Sequence, residues 1–263
     1  MADAMLEVTG ARLAADVRRG SGPAVVALHG LGSSRANEDA DGFFGWTAVA
    51  EAGRTLVRYD ARGHGRSSGA PQPAAYRWEA LADDLLAVLD EVSPDEPVDG
   101  IGVSMGTGTL LTLAVRRPER FRRLVLVLPP TAWSSRAAQR DLYESSARFV
   151  EQRGMDAWVR GTASLPGPPV AEEAGAAALP PDVDGALLPS VLRGAAGSDL
   201  PPEADVAGLE HDVLLMPWTG DPGHPMSTAE RLLELLPNAA LDVMRDGEAL
   251  RGAGGRAAAF LTR

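Results

Sequence analysis

Val98-Asp99-Gly100-Ile101-Gly102-Val103-Ser104-Met105-Gly106 is the stretch that decides the fold. Its first six residues read as a short strand, interrupted by Asp99 and Gly100, and Met105–Arg116 reads as a helix stopped by Pro118. Between them stands the G-x-S-x-G pentapeptide Gly102-Val103-Ser104-Met105-Gly106. A serine on so sharp a strand-to-helix turn is held in a strained backbone conformation that pushes its hydroxyl outward. Glycines two residues to either side leave room for the turn to pack. The pentapeptide alone is common by chance; strand, motif and helix in that order make it specific.

Working outward, short apolar runs recur at Ala24–Leu28, Thr55–Tyr59, Leu124–Leu128, Val213–Met216 and Ala240–Met244. Continuous Val/Leu runs are what a parallel sheet covered on both faces requires. Helical patterns alternate with them. Trp78–Val92 gathers Leu81, Leu85, Leu86, Val88 and Leu89 on one side. Ser227–Leu236 opens on a capping-box pattern, Ser227 with Glu230, and Gly255–Leu261 forms a last short helix. Leu6–Val17 alternates loosely, as a hairpin or edge strand would. The whole reads as an α/β fold with a mostly parallel, doubly wound sheet.

The alternation breaks between Pro129 and Gly208, where helical segments (Ala132–Gln152, Met155–Arg160, Leu187–Arg193) stand among Pro- and Gly-rich turns without a good strand. The expected organisation is a core of residues 1–128 and 209–263 with a helical lid of residues 129–208. A lid placed there lies over the carboxyl ends of the strands, where ligands bind in open α/β sheets. Trp133, Tyr143, Phe149 and Trp158 in it suit an apolar small-molecule substrate.

The 263 residues carry 36 acidic against 25 basic side chains, a net charge of −11, which argues against nucleic acid and anionic membranes as partners. Every basic residue is arginine, as in chains from GC-rich coding sequence. Without cysteine there is no disulfide, thiolate metal site or cysteine nucleophile. No clustered His/Asp/Glu spacing or phosphate-binding glycine pattern implies a metal or an organic cofactor. Met1–Gly20 lacks the apolar stretch of a signal peptide, and no run approaches a membrane span, so the expected compartment is the cytoplasm.

Taken with three further motifs, the elbow gives the chain a resemblance to the α/β-hydrolase fold superfamily, in its branch of small esterases, lactonases and C–C hydrolases. His29-Gly30-Leu31-Gly32 stands where that family places its oxyanion loop. Asp60-Ala61-Arg62-Gly63-His64-Gly65-Arg66-Ser67 matches the family's D-x-R-G-x-G-x-S turn, and Gly220-Asp221-Pro222-Gly223-His224-Pro225 follows the strand that carries the family's acid. The resemblance implies acyl transfer from an ester, thioester or lactone through an acyl-Ser104 intermediate. Asp221 would orient the base, and the backbone N–H groups of Leu31 and Met105 would hold the oxyanion.

The family's third member departs from the pattern. Its histidine lies on the turn after the last strand, which here reads Arg245-Asp246-Gly247-Glu248-Ala249-Leu250-Arg251-Gly252, and no histidine follows His224. His29 and His64 sit in structural motifs, and His211 precedes a strand at an exposed position. His224 shares a loop with Asp221 and could reach Ser104, or it could merely pack at the start of the next helix. Glu248 stands where the family has its histidine, but a carboxylate with a reference pKa near ~4.3 is a poor base unless burial raises it. His224, Glu248 or no base at all therefore remain open. With them stands the alternative of a degenerate, ligand-binding or non-hydrolytic member.

Overall fold

In the computed structural model the described residues are 2–163, 167–175 and 179–263, so parts of the segment 129–208 (164–166 and 176–178) lie outside the description. The strands are β1 (Ala2–Val8), β2 (Ala11–Arg18), β3 (Gly22–Leu28), β4 (Arg54–Tyr59), β5 (Val98–Val103), β6 (Phe121–Val127), β7 (Asp212–Met216) and β8 (Ala239–Leu241). The helices in chain order are α1 (Arg35–Asp41), α2 (Thr47–Glu51), α3 (Trp78–Val92), α4 (Met105–Arg116), α5 (Arg136–Arg153), α6 (Met155–Thr162), α7 (Pro169–Glu173), α8 (Leu188–Ala196), α9 (Glu203–Val206), α10 (Met226–Leu235), α11 (Gly247–Arg251) and α12 (Ala253–Leu261). Together they make an α/β-hydrolase fold.

Among the described residues the strands form one sheet in the order β1-β2-β4-β3-β5-β6-β7-β8. β1 and β2 are the antiparallel hairpin, β2 runs antiparallel to β4, and all later pairings are parallel. Successive strand side chains point to opposite faces, so each apolar run feeds two cores. Val26, Leu28, Leu124, Leu126, Val213 and Leu215 pack beneath α3, α4 and α10. Their alternates Val25, Ala27, Val125, Val127, Leu214 and Met216 pack with α2 and α12. Val98–Val103 looked interrupted for physical reasons. A Cβ on Gly100 would stand 2.6 Å from Leu110 of α4, and Asp99 is fully buried in an ion pair with Arg54 of β4.

Several local expectations are corrected. α10 begins at Met226 behind Pro225 with no side-chain cap, so Ser227 and Glu230 do not form a capping box. β8 is only three residues long, and Met244 contributes a single bridge to Trp218. The arginines after α4 are partly drawn into the fold. Arg120 is buried, hydrogen-bonded to the Ser93 carbonyl and paired with Asp90, and Arg122 and Arg123 lie within β6. His211 is half-buried, with Nε2 against the Pro118 carbonyl at 2.9 Å.

Candidate active site

Ser104 sits between β5 and α4 with φ 51° and ψ −106°, a conformation side chains rarely adopt. Its surroundings over-determine it. The Ser104 N–H donates to the Val127 carbonyl at 2.9 Å. The Thr107 hydroxyl lies 2.6 Å from the Gly102 carbonyl and 3.1 Å from that of Val127. The two motif glycines are there for space: a Cβ on Gly102 would meet the Gly106 carbonyl oxygen at 2.5 Å, and one on Gly106 would meet that of Leu28 at 2.5 Å.

The next two groups come from a single loop beyond β7. His224 Nε2 lies 2.7 Å from Ser104 Oγ, and His224 Nδ1 lies 2.6 Å from Asp221 Oδ2. An ionised carboxylate only accepts, so Nδ1 carries the imidazole proton and Nε2 presents its lone pair to the serine hydroxyl. Asp221 also accepts from Trp218 Nε1 at 2.9 Å and from the Gly223 N–H at 2.8 Å. Burial alone would raise the Asp221 carboxyl. The hydrogen bond and charge of His224, with these two donors, bring it below the usual carboxylate range.

The loop is braced from both sides. Trp218 is buried, with its ring edge-on to the imidazole at 6.2 Å, and it bridges to Met244. The chain leaving β6 lies between the serine and the histidine. Its Leu128, held at φ 48°, donates to the Met216 carbonyl at 3.0 Å, and Thr131 donates to the Gly223 carbonyl at 3.1 Å.

Met105 follows the serine directly, and Leu31 follows Gly30, whose loop approaches it. The Met105 N–H is the first of α4 and has no intrahelical acceptor. The peptide joining Gly30 to Leu31 is oriented through its carbonyl, which accepts from His29 Nδ1 at 2.8 Å and from the Ser33 N–H at 3.1 Å. In a trans peptide the N–H points opposite to the carbonyl, so the Leu31 N–H faces away from His29. The loop passes close to the nucleophile: a Cβ on Gly30 would stand 3.6 Å from that of Ser104. His29 Nε2 accepts from the Ala61 N–H at 2.9 Å, and burial holds this ring neutral, its pKa lowered. Beside it, His64 is fully buried, its ring 5.2 Å away and its Nδ1 on the Arg62 carbonyl at 2.9 Å. Both are structural in this setting.

The structure therefore brings Ser104, His224 and Asp221 into one hydrogen-bonded chain and does not bring Glu248 into it. Glu248 is exposed on α11, whose start is capped by Asp246 accepting from the Ala249 N–H. The turn is occupied by packing instead, since a Cβ on Gly247 would stand 2.6 Å from the Ala174 backbone behind α7. Trp218, Thr107 and Thr131 were not singled out by the motifs. Trp218 carries a weak signal, standing three residues before Asp221 at a strand end; the two threonines carry none.

A sequence model of the alpha/beta hydrolase fold matches residues 23–166, more than half of the chain, and the protein belongs to this family. The chain is 36% identical over 120 residues to the uncharacterized hydrolase YraK of Bacillus subtilis, a match covering 46% of this chain and 42% of that protein. It is 36% identical over 105 residues to an sn-1-specific diacylglycerol lipase of Mus musculus, covering 40% of this chain and 32% of the lipase. The chain thus spans less than half the length of these two curated relatives. A solved hydrolase from Pseudomonas aeruginosa superposes with a TM-score of 0.77 at 25% identity, over 95% of this chain and 96% of that one. Among the described residues no helix is long and apolar enough to cross a membrane.

Proposed function

We propose that the protein is a serine hydrolase that cleaves small carboxylic esters, thioesters or lactones through an acyl-Ser104 intermediate. The observation that carries this reading is the unbroken relay from Asp221 through His224 to Ser104, at 2.6 and 2.7 Å. The two curated relatives named above are called a hydrolase and a lipase, and a lipase's name implies ester chemistry.

In the proposed mechanism Ser104 Oγ attacks the substrate carbonyl while His224 Nε2 takes the hydroxyl proton. Negative charge collects on the carbonyl oxygen, where the N–H groups of Leu31 and Met105 stabilise it. The imidazolium, steadied by Asp221, returns the proton to the leaving alcohol or thiol. Water then attacks the acyl group, His224 again receives the proton, and the acid departs from a restored Ser104. In this reading the described helical residues between 129 and 208 act as the lid over the site. An open cleft of about 500 Å³ runs from the oxyanion loop at Leu31 and Trp218 to Phe43, Ala171 and Pro181. Its lining mixes these apolar groups with Ser33, Asn37, Asp41 and Glu172, which fits a small substrate that carries both apolar and polar groups.

Turnover of a p-nitrophenyl ester, with the acyl adduct located on Ser104 by peptide mass mapping, tests the reading. A pre-steady-state burst and a labelled Ser104 are expected. An enzyme inert to such esters and to a fluorophosphonate, yet still binding apolar ligands in the cleft, would establish the degenerate alternative instead.

A further inference from the structure

The segment that returns from the helical stretch toward α8, residues 180–183, lies across the oxyanion loop and is stitched to it at several points. The Asp182 N–H donates to the Gly32 carbonyl at 2.8 Å. The Asp182 carboxylate accepts from the Ser34 hydroxyl at 2.6 Å, and that same hydroxyl caps α1 by accepting from the Asn37 N–H at 3.1 Å. Asn37 Nδ2 donates back to the Pro180 carbonyl at 3.1 Å. On the other side, the Asp182 carbonyl accepts from the Gly65 N–H at 2.7 Å, and Val183 forms an isolated bridge with His64. Gly32, with φ 74°, has Pro181 packed against the side where a Cβ would project, at 3.5 Å. The Leu31 side chain itself packs into the apolar cluster of Val183, Leu188, Val191 and Val150.

Taken together, the peptide before Leu31 and the peptide after Gly32 are held by different parts of the molecule. The Gly30 carbonyl is held from within the core by His29, and the Gly32 carbonyl from outside by Asp182. A loop rich in glycine has too little intrinsic stiffness to hold an N–H on target by itself. Accurate donor placement governs oxyanion stabilisation, and small displacements are costly.

We propose that Asp182 is a positioning residue for the oxyanion hole: its side chain and backbone clamp the Leu31–Ser34 loop, so that the hole is correctly set only while residues 180–183 are seated on it. This inference rests on the hydrolase reading above. Asp182 touches no reacting atom in this scheme and acts through the loop. Its loss therefore weakens binding of a tetrahedral oxyanion without weakening binding of the ground-state ester.

The test compares wild type, Asp182→Ala and Asp182→Asn on a p-nitrophenyl ester and with an alkyl boronic acid as the tetrahedral analogue. For Asp182→Ala, kcat is expected to fall ~10- to 100-fold with KM nearly unchanged, and boronate affinity to fall in parallel. Asn keeps an acceptor for the Ser34 hydroxyl and is expected to restore most of both. Should Asp182→Ala fail to fold, Ser34→Ala, which removes the donor to the carboxylate, carries the same expectation. If the variants match wild type in kcat and boronate affinity, or lose KM and kcat together with thermal stability alone, the positioning role is overturned while the hydrolase reading stands. A wild type that forms no acyl-Ser104 overturns the hydrolase reading itself, and with it the role of Asp182.

Discussion

Asp221 and His224 lie three residues apart on one loop, and the carboxylate of the first holds Nδ1 of the second at 2.6 Å. Pro222 and Pro225 limit the backbone between and after them, while the Gly223 N–H turns back onto Asp221 Oδ1. Acid and imidazole thus share one short loop, and Trp218 and the chain leaving β6 brace it in place.

Replacing Ser104 by Ala or His224 by Gln is expected to lower kcat/KM for an activated ester by ~10⁴-fold or more, and the double variant to be no worse than either single one. Glu248→Gln is expected to leave the rate within twofold of wild type, about the scatter of surface substitutions. Initial-rate measurements on these four variants beside wild type decide the matter. An inactive Glu248→Gln enzyme would return the base to the turn after β8.

Asp221→Asn can present its amide N–H to Nδ1 and so favour the wrong imidazole tautomer. A loss of ~10⁴-fold in kcat with intact folding is expected. Trp218→Phe removes one donor to the same carboxylate and keeps the ring, so about a tenfold loss is expected. Equal activity in Trp218→Phe and wild type would reduce the indole to a packing group.

Gly106→Ala drives a Cβ into the Leu28 carbonyl oxygen, which belongs to the backbone of β3 and cannot swing aside. Urea denaturation is expected to show a loss of more than ~3 kcal/mol, or no soluble protein at all. An unaltered midpoint would mean that the elbow relaxes more readily than its packing indicates.

Two buried groups set opposing pH dependences of stability. Burial, aided by His29, lowers the His64 pKa to about 3, so the unfolded chain binds the extra proton between about 3 and ~6.5, and stability falls as the pH drops through that window. Burial raises the Glu38 carboxyl to about 8, so the folded chain keeps a proton that the unfolded chain releases above ~4.5, and stability falls as the pH rises toward 8. Between ~4.5 and ~6.5 the slopes oppose one another, which places the optimum on the acid side of neutrality. Thermal melts across pH check this, and Glu38→Gln is expected to flatten the alkaline limb. A melting temperature still climbing between pH 6.5 and 8 would contradict the assignment.

The β5–α4 unit was legible in sequence to the residue because its turn needs glycines and a small nucleophile at fixed spacing. The strands buried on both faces were legible as apolar runs, with ends off by a few residues where arginines extend β6 and polar residues shorten β8. Helices α1, α2, α7, α9 and α11 were not legible. Each has seven residues or fewer, too short for a period, and α11 leans on α7 rather than on its own apolar stripe. The partner of Ser104 stayed undecided for a different reason. A histidine's neighbours in sequence do not say which way its ring turns, and only the brace of Trp218 and the chain after β6 fixes that direction. The clamp from Asp182 joins residues about 150 positions apart and leaves no local pattern, as expected of long-range contacts.

The end of β6 acts as a gauge block. Val127 receives the Ser104 backbone on one edge, and Leu128 and Thr131 reach across to Met216 and Gly223 on the other. The spacing between nucleophile and imidazole is therefore measured off against one short piece of chain. In a relay whose base sits one strand further out, errors of placement would accumulate across two intervening strands, β6 and β7; here they accumulate across β6 alone. Sequence after His224 then reaches the alignment only indirectly, through the bridge of Met244 to Trp218.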